Sequence, residues 1–379
     1  AEFEMLITPP SKADSAIKAR ERNVVLLGFV SFLNDMSSEI IHSILPFFLR
    51  GFGSTFAGIG IVGGLLEGIG SIFKIVSGYI SDRIGKRKGI VFSGYFMSQV
   101  SKISLSFAST TAFVGILVTL DRIGKGIRTS PRDALLAESG MKSGRAFGLH
   151  RMMDTFGAVV GTVFALYFIH IGFNFSKTIL SAGLIGFLAL IPIVFIVETA
   201  FPIRKPRLTF ELKRYSLFSL FMGLANISYM FYMLRVEELG IETAIELYFL
   251  FNIIYAVFSY PFGLLSDRFG KTKNLSLSYF FLTLSSLLMM NCSIYAFFSA
   301  FILFGLFKSI SEAQQRALAS DLSEAKGFGI GTYHLIYGIS TVIGNIAVGM
   351  LADISYNFVF IYLTIISFLV AMLYLVIKF

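Results

Sequence analysis

An all-α membrane protein with twelve transmembrane helices is what these 379 residues predict. Three observations lead there: the apolar content, the spacing of the apolar runs, and the alternation of basic and non-basic connections between them. The chain is 55% hydrophobic and only 15% charged, with a mean hydropathy of +0.76. Soluble globules carry about 25% charged residues, so a water-soluble enzyme is excluded. A helix crossing the bilayer needs roughly 20 apolar residues. Such runs fall at 24–49, 55–80, 89–109, 111–131, 145–171, 176–197, 215–235, 243–265, 274–291, 293–316, 328–351 and 356–377. They fill the chain and leave no room for a separate soluble domain.

The leader, 1–22, is polar, and the first apolar stretch is too long for a cleavable signal. Lys and Arg then collect in every second connection. The groups are Arg83/Lys86/Arg87/Lys88, Lys142/Arg145, Arg204/Lys205/Arg207/Lys213/Arg214, Arg268/Lys271/Lys273 and Lys326. The alternate connections are nearly free of them, and the one around Glu237, Glu238 and Glu242 is acidic. Basic loops stay inside, so both termini are expected in the cytoplasm of a cell that carries the chain in its plasma membrane. The net charge of +9 then marks these loops rather than a nucleic-acid surface. The longest polar interruption, 200–214, is a cytoplasmic linker between halves at 23–199 and 215–379. With no Trp, any interfacial belt is built from Tyr and Phe. Cys292 is the single cysteine, which rules out an internal disulfide.

The halves repeat. Gly78-Tyr-Ile-Ser-Asp82-Arg83-Ile-Gly85-Lys86-Arg-Lys88 joins the second and third runs, and Gly263-Leu-Leu-Ser-Asp267-Arg268-Phe-Gly270-Lys271-Thr-Lys273 joins the eighth and ninth. Gly78 permits close helix approach, Asp82 suits the positive end of a facing helix, and Gly85 turns the chain. This doubled signature resembles the loop motif of the major facilitator superfamily (MFS) of secondary transporters. Asp121-Arg122-Ile-Gly124-Lys125-Gly126 is similar to that family's Arg-containing fourth-helix motif, implicated in proton coupling, with Lys125 where Gln is usual. Gly148, Gly157 and Gly161 reproduce the opening of its antiporter motif, but Thr162 replaces the Pro that follows. The stretch 121–154 also resembles a prokaryotic group of facilitators. The resemblance implies the MFS fold, with two pseudo-symmetric six-helix bundles around a central cavity.

Charges inside a bilayer cost at least about 2.5–3.5 kcal/mol each unless paired or wetted, so they mark function. In the first run Ser31, Asp35, Glu39, His42 and Pro46 form one stripe at helical spacing. Two acids a turn apart repel, which favours a proton on one of them. Asp35 and Glu39 are therefore the expected proton-coupling acids, with Arg122 as charge partner, bound to Asp35 or Asp121. The same stripe could also ligate a divalent metal. Arg128 and Arg132, at the cytoplasmic end of the fourth run, are placed to snorkel to headgroups. Asp154 is expected either bonded across a close glycine contact at Gly157 and Gly161, or closing a cytoplasmic gate with Arg132 or Arg128. Lys308 and Glu312 are spaced to neutralise each other.

A proton-coupled secondary transporter working by alternating access follows, with a small solute, an organic anion or metabolite by preference. Lys125, His42, Asn226, Tyr229, Asn252 and Tyr255 are the expected solute contacts. The loop residues Gly78, Asp82, Arg83, Gly85, Gly263, Asp267 and Arg268 are expected to hold the outward-facing state. A multidrug or lipophilic-cation antiporter, a divalent-metal exporter and a polytopic membrane enzyme are the alternatives weighed. Scattered histidines and the lack of a catalytic loop count against an enzyme. Without a phosphate-binding Gly-x-x-x-x-Gly-Lys-Ser/Thr loop, no cofactor or ATP drive is expected. The partners expected are solute, protons and lipid, with no nucleic acid, around a monomer.

Overall fold

The computed structural model describes residues 12–84, 86–137, 139, 141, 143–198, 209–322 and 326–377. They form fourteen α-helices and no β-strand. The helices are α1 (Lys12–Gly51), α2 (Phe56–Ile84), α3 (Lys88–Leu105), α4 (Thr111–Ala137), α5 (Ser143–His170), α6 (Phe175–Leu188) and α7 (Leu190–Val194). After the linker come α8 (Phe210–Leu224), α9 (Met230–Val236), α10 (Ile241–Phe269), α11 (Lys271–Leu288), α12 (Ile294–Asp321), α13 (Lys326–Ile354) and α14 (Tyr356–Val376). Every predicted apolar run contains a helix. Among the described residues eight stretches are long and apolar enough to cross a membrane: α1, α2, α5, α6 with α7, α10, α12, α13 and α14.

The other four runs fall short for physical reasons. α4 carries Asp121, Arg122, Lys125, Arg128, Arg132 and Asp133. α3 and α11 pack polar residues inward, including Ser98, Gln99 and Lys102 on α3 and Ser276, Ser278, Ser285 and Ser286 on α11. The run 215–235 is broken: α8 stops at Leu224 and α9 starts at Met230. The single helix expected there is thus corrected to two. Backbone freed at such a break must be satisfied by protein, and α13 and α14 do it. Asn345 accepts from Ser228 N–H at 2.6 Å and donates to the Asn226 carbonyl at 3.0 Å, while Tyr362 donates to the Leu224 carbonyl at 3.1 Å.

Helix α1 packs on α4, α5 and α6, and α3 on α4 and α6. Beyond the linker, α10 packs on α12, α11 on α12 and α14, and α8 on α13. The two sets meet chiefly along α2 against α13 and α5 against α10. The α2–α13 seam is made of backbone. A Cβ on Gly68 would stand 2.5 Å from the Gly338 carbonyl oxygen, and one on Gly64 would stand 3.0 Å from that of Val342. One end of this seam is tied by Asp353 of α13, whose carboxylate accepts from the Phe56 and Ala57 N–H groups at 2.8 and 2.9 Å. Those are donors that the first turn of a helix leaves open. Arg50 and Glu237 approach to 3.7 Å at the same end. Outward-facing apolar side chains, such as Ile116, Phe156, Leu217, Val257 and Ile365, clothe the exterior.

Candidate functional site

A cavity of about 310 Å³ lies between α1, α2, α4 and α5 on one side and α10, α12, α13 and the α8–α9 break on the other. All six expected solute contacts, Lys125, His42, Asn226, Tyr229, Asn252 and Tyr255, line it. Asn226 and Tyr229 get there from the break rather than from a regular helix face. Asn226 then accepts from Lys308 Nζ at 2.9 Å, and Tyr229 donates to the His42 carbonyl at 3.0 Å.

A chain of polar contacts runs from α4 through α1 to α10. Arg122 Nη2 reaches Asp121 at 2.9 Å and His42 Nε2 at 2.9 Å. A guanidinium only donates, so His42 Nε2 accepts, and its Nδ1–H donates to Glu39 at 3.2 Å. The other Glu39 oxygen accepts from Tyr248 at 2.9 Å and Asn252 at 3.5 Å. Arg122 therefore pairs with Asp121 and not with Asp35. Asp121 itself turns off the cavity toward Ser98 on α3 and lines a smaller pocket with Lys102.

Asp35 of α1 and Asp154 of α5 line the cavity together where the two helices pack, and Asp35 accepts from Asn34 Nδ2 at 3.0 Å. The α1–α5 contact is as close as the glycines suggest, because a Cβ on Gly161 would stand 3.0 Å from Met36 Cα. Lys125 lines the same cavity.

Two expectations for the basic residues are corrected. Arg128 does not snorkel: it is 3% exposed, with its guanidinium 4.3 Å over the Tyr95 ring. Arg132 turns to the cavity as well, bonded to its neighbour Asp133 at 2.8 Å. Neither closes a gate with Asp154, which bonds Arg151 at 3.1 Å. Lys308 and Glu312 do approach to 3.9 Å, and Lys308 reaches Glu67 of α2 at the same distance. Among the described residues no three His, Cys, Asp or Glu side chains gather as metal ligands. Of the loop residues, Gly85 lies outside the described residues, as do the side chains of Asp82, Arg83, Asp267 and Arg268 and the surroundings of Gly78. Around Gly263 no described atom stands within 4 Å of a would-be Cβ.

Glu67 and Lys74, charged residues of the second run with no partner evident in the sequence, line the cavity too, whereas sequence reasoning missed Tyr248, Arg316 and His334 there. Tyr248 stands one turn before Asn252 and Arg316 one turn after Glu312, so helical spacing from the chosen residues could have found both.

A family model described as Major Facilitator Superfamily matches residues 27–233 and 215–378. The chain belongs to the major facilitator superfamily. This facilitator is 38% identical to an uncharacterized MFS-type transporter of Methanocaldococcus jannaschii over 93% of its own length and 94% of the relative's. Its fold is similar to that of a variant of the nucleoside transporter NupG, with a TM-score of 0.78 at 12% identity over 93% of this chain and 99% of that one. It is also similar to a bacterial homologue of the human lysosomal transporter Spinster in an inward-facing form. There the TM-score is 0.69 at 15% identity, over 94% and 98% of the two chains. A POT family transporter in complex with 5-aminolevulinic acid gives 0.72 at 14% identity, over 94% and 96%. The facilitator is thus a multi-pass membrane transporter and not an enzyme.

Proposed function

We propose that this facilitator moves a small organic anion together with a proton by alternating access. In this reading α6 with α7 and α8 with α9 each make one crossing, for twelve in all. The crossings divide into six-helix bundles at 23–199 and 215–379, joined by 200–214. The protein works as a monomer in the plasma membrane with both termini in the cytoplasm. The Asp-Arg loops at 78–88 and 263–273 hold the outward-facing form.

The observation that carries the reading is that Asp35, Asp154 and Lys125 line one cavity together where α1 packs on α5. With one proton, the Asp35–Asp154 pair is bonded to itself and Lys125 is free to hold an anion. Without it, two carboxylates repel each other and draw Lys125 toward them. Proton and anion are therefore bound together and released together. Glu39, backed by His42, Arg122 and Asp121, carries the change across the cavity to Tyr248 and Asn252 of the other bundle. Proteoliposomes containing a pH-sensing dye test this. An inward gradient of transported anion should acidify the lumen at zero membrane potential. Anion flux with no pH change, or with alkalinisation, overturns the proposal.

A further inference from the structure

The cavity holds more positive charge than its own carboxylates offset. Arg122, Arg132, Arg151 and Lys308 each have a carboxylate within 4 Å. Lys74, Lys125, Arg128 and Arg316 also line the cavity and have none among the described residues. Arg128 is buried with Nε and Nη1 unpartnered, and His334, 7% exposed, has Nδ1 unpartnered. On the acid side, only Asp35 and Glu39 of the lining carboxylates lack a Lys or Arg partner. The four partnered cations are matched by five carboxylates, so eight Lys and Arg side chains face seven carboxylates, and six once Asp35 and Asp154 share the proton proposed above; two positive charges are then uncompensated. Charges withdrawn from water without counterions are costly, so the natural complement is a solute that brings two negative charges.

The cations without a carboxylate partner straddle the cavity: Lys74 and Lys125 come from α2 and α4 and Arg316 from α12, with the buried His334 of α13 lining the same space. Empty, the site pushes its two walls apart. Filled by an anion, it draws them together.

The wall beside the cations is a ladder of rings. Tyr229, Tyr248, Phe251 and Tyr255 follow one another at centroid separations of 4.8, 5.5 and 6.3 Å, with interplanar angles of 26°, 15° and 17°. All four face the cavity. Near-parallel rings of this kind accept a further flat group in offset stacking.

We infer that the solute is an organic dianion with a planar body, its charges held between Lys74 and Lys125 of one bundle and Arg316 and His334 of the other, its flat part against the Tyr229–Tyr255 ladder. This deepens the anion reading given above and rests on it. The shared chemistry is two negative charges on one small molecule, as in an aryl phosphate or an aromatic dicarboxylate.

Calorimetric titration of the purified full chain in nanodiscs tests it, with phenyl phosphate, phthalate, benzoate and tetraphenylphosphonium as probes. At least one of the two dianions should bind tenfold or more tightly than benzoate, and which one does so assigns a phosphate ester or a dicarboxylate. Lys74→Gln and Lys125→Gln should each weaken that binding tenfold or more, with Lys125→Arg retaining it. All three variants are to be checked for monodispersity and helical content. Benzoate binding as tightly as both dianions overturns the dianion inference and leaves the anion reading standing. Tetraphenylphosphonium as the sole binder overturns both. Dianion binding indifferent to Lys74→Gln and Lys125→Gln overturns the site.

Discussion

In the proposed mechanism a single proton shared by Asp35 and Asp154 is the smallest part and the easiest to remove. Asp35→Asn keeps the shape but cannot ionise. Uphill accumulation driven by a pH gradient should vanish, while exchange of labelled for unlabelled solute at equal concentrations continues. Gradient-driven uptake at wild-type level in that variant would reject the pair as the coupling group. Asn345→Ala probes a different residue-scale device. It strands the Ser228 N–H and the Asn226 carbonyl, and a buried group left unsatisfied costs about 1–3 kcal/mol. Thermal unfolding in detergent should shift down clearly, and an unchanged midpoint would mean that water or another donor closes the break. The stripe Asp35–Glu39–His42 was legible because helical spacing alone aligns it. Its partners were not: Tyr248 stands 209 positions from Glu39, which it bonds, and Asp154 stands 119 from Asp35 beside the same cavity, and nothing local records such a meeting.

Whole helices explain most of the remaining differences between sequence and structure. Hydropathy located all twelve runs because it reports burial in oil or in protein, and it is blind to a backbone break. The α8–α9 interruption therefore reads as continuous, although Asn226 and Asn345, two amides in apolar surroundings, are the residues that build it. Close helix contact at Gly157 and Gly161 was readable from their spacing. The longer glycine contact of α2 with α13 was not, because it joins segments from opposite halves. Gly68→Val places branched carbon against the Gly338 backbone, and overpacking of this kind typically costs about 1–3 kcal/mol. The variant should unfold earlier and transport more slowly; a variant that matches wild type in both would show that the seam yields at no cost.

Across the whole molecule the tie between Asp353 and the start of α2 joins the two halves at the end marked by Arg50 and Glu237. Alternating access requires that end to open once per cycle. A cysteine pair at Ala57→Cys and Asp353→Cys, in a Cys292→Ser background, should arrest flux on oxidation and restore it with reductant. Full flux in the oxidised, cross-linked protein would mean that this end never parts. The carboxylate suits the task because it grips two backbone donors while exposed to solvent, where its hold is modest and reversible.

The seam of α2 and α13 has one more consequence. Ordinary helices interlock through side-chain ridges, and moving one past another means lifting each ridge out of its groove. Where glycines bring bare main chain to bare main chain there is little to climb over. In the proposed mechanism the two rods are then a smooth bearing, on which one half of the carrier swivels against the other while staying in touch.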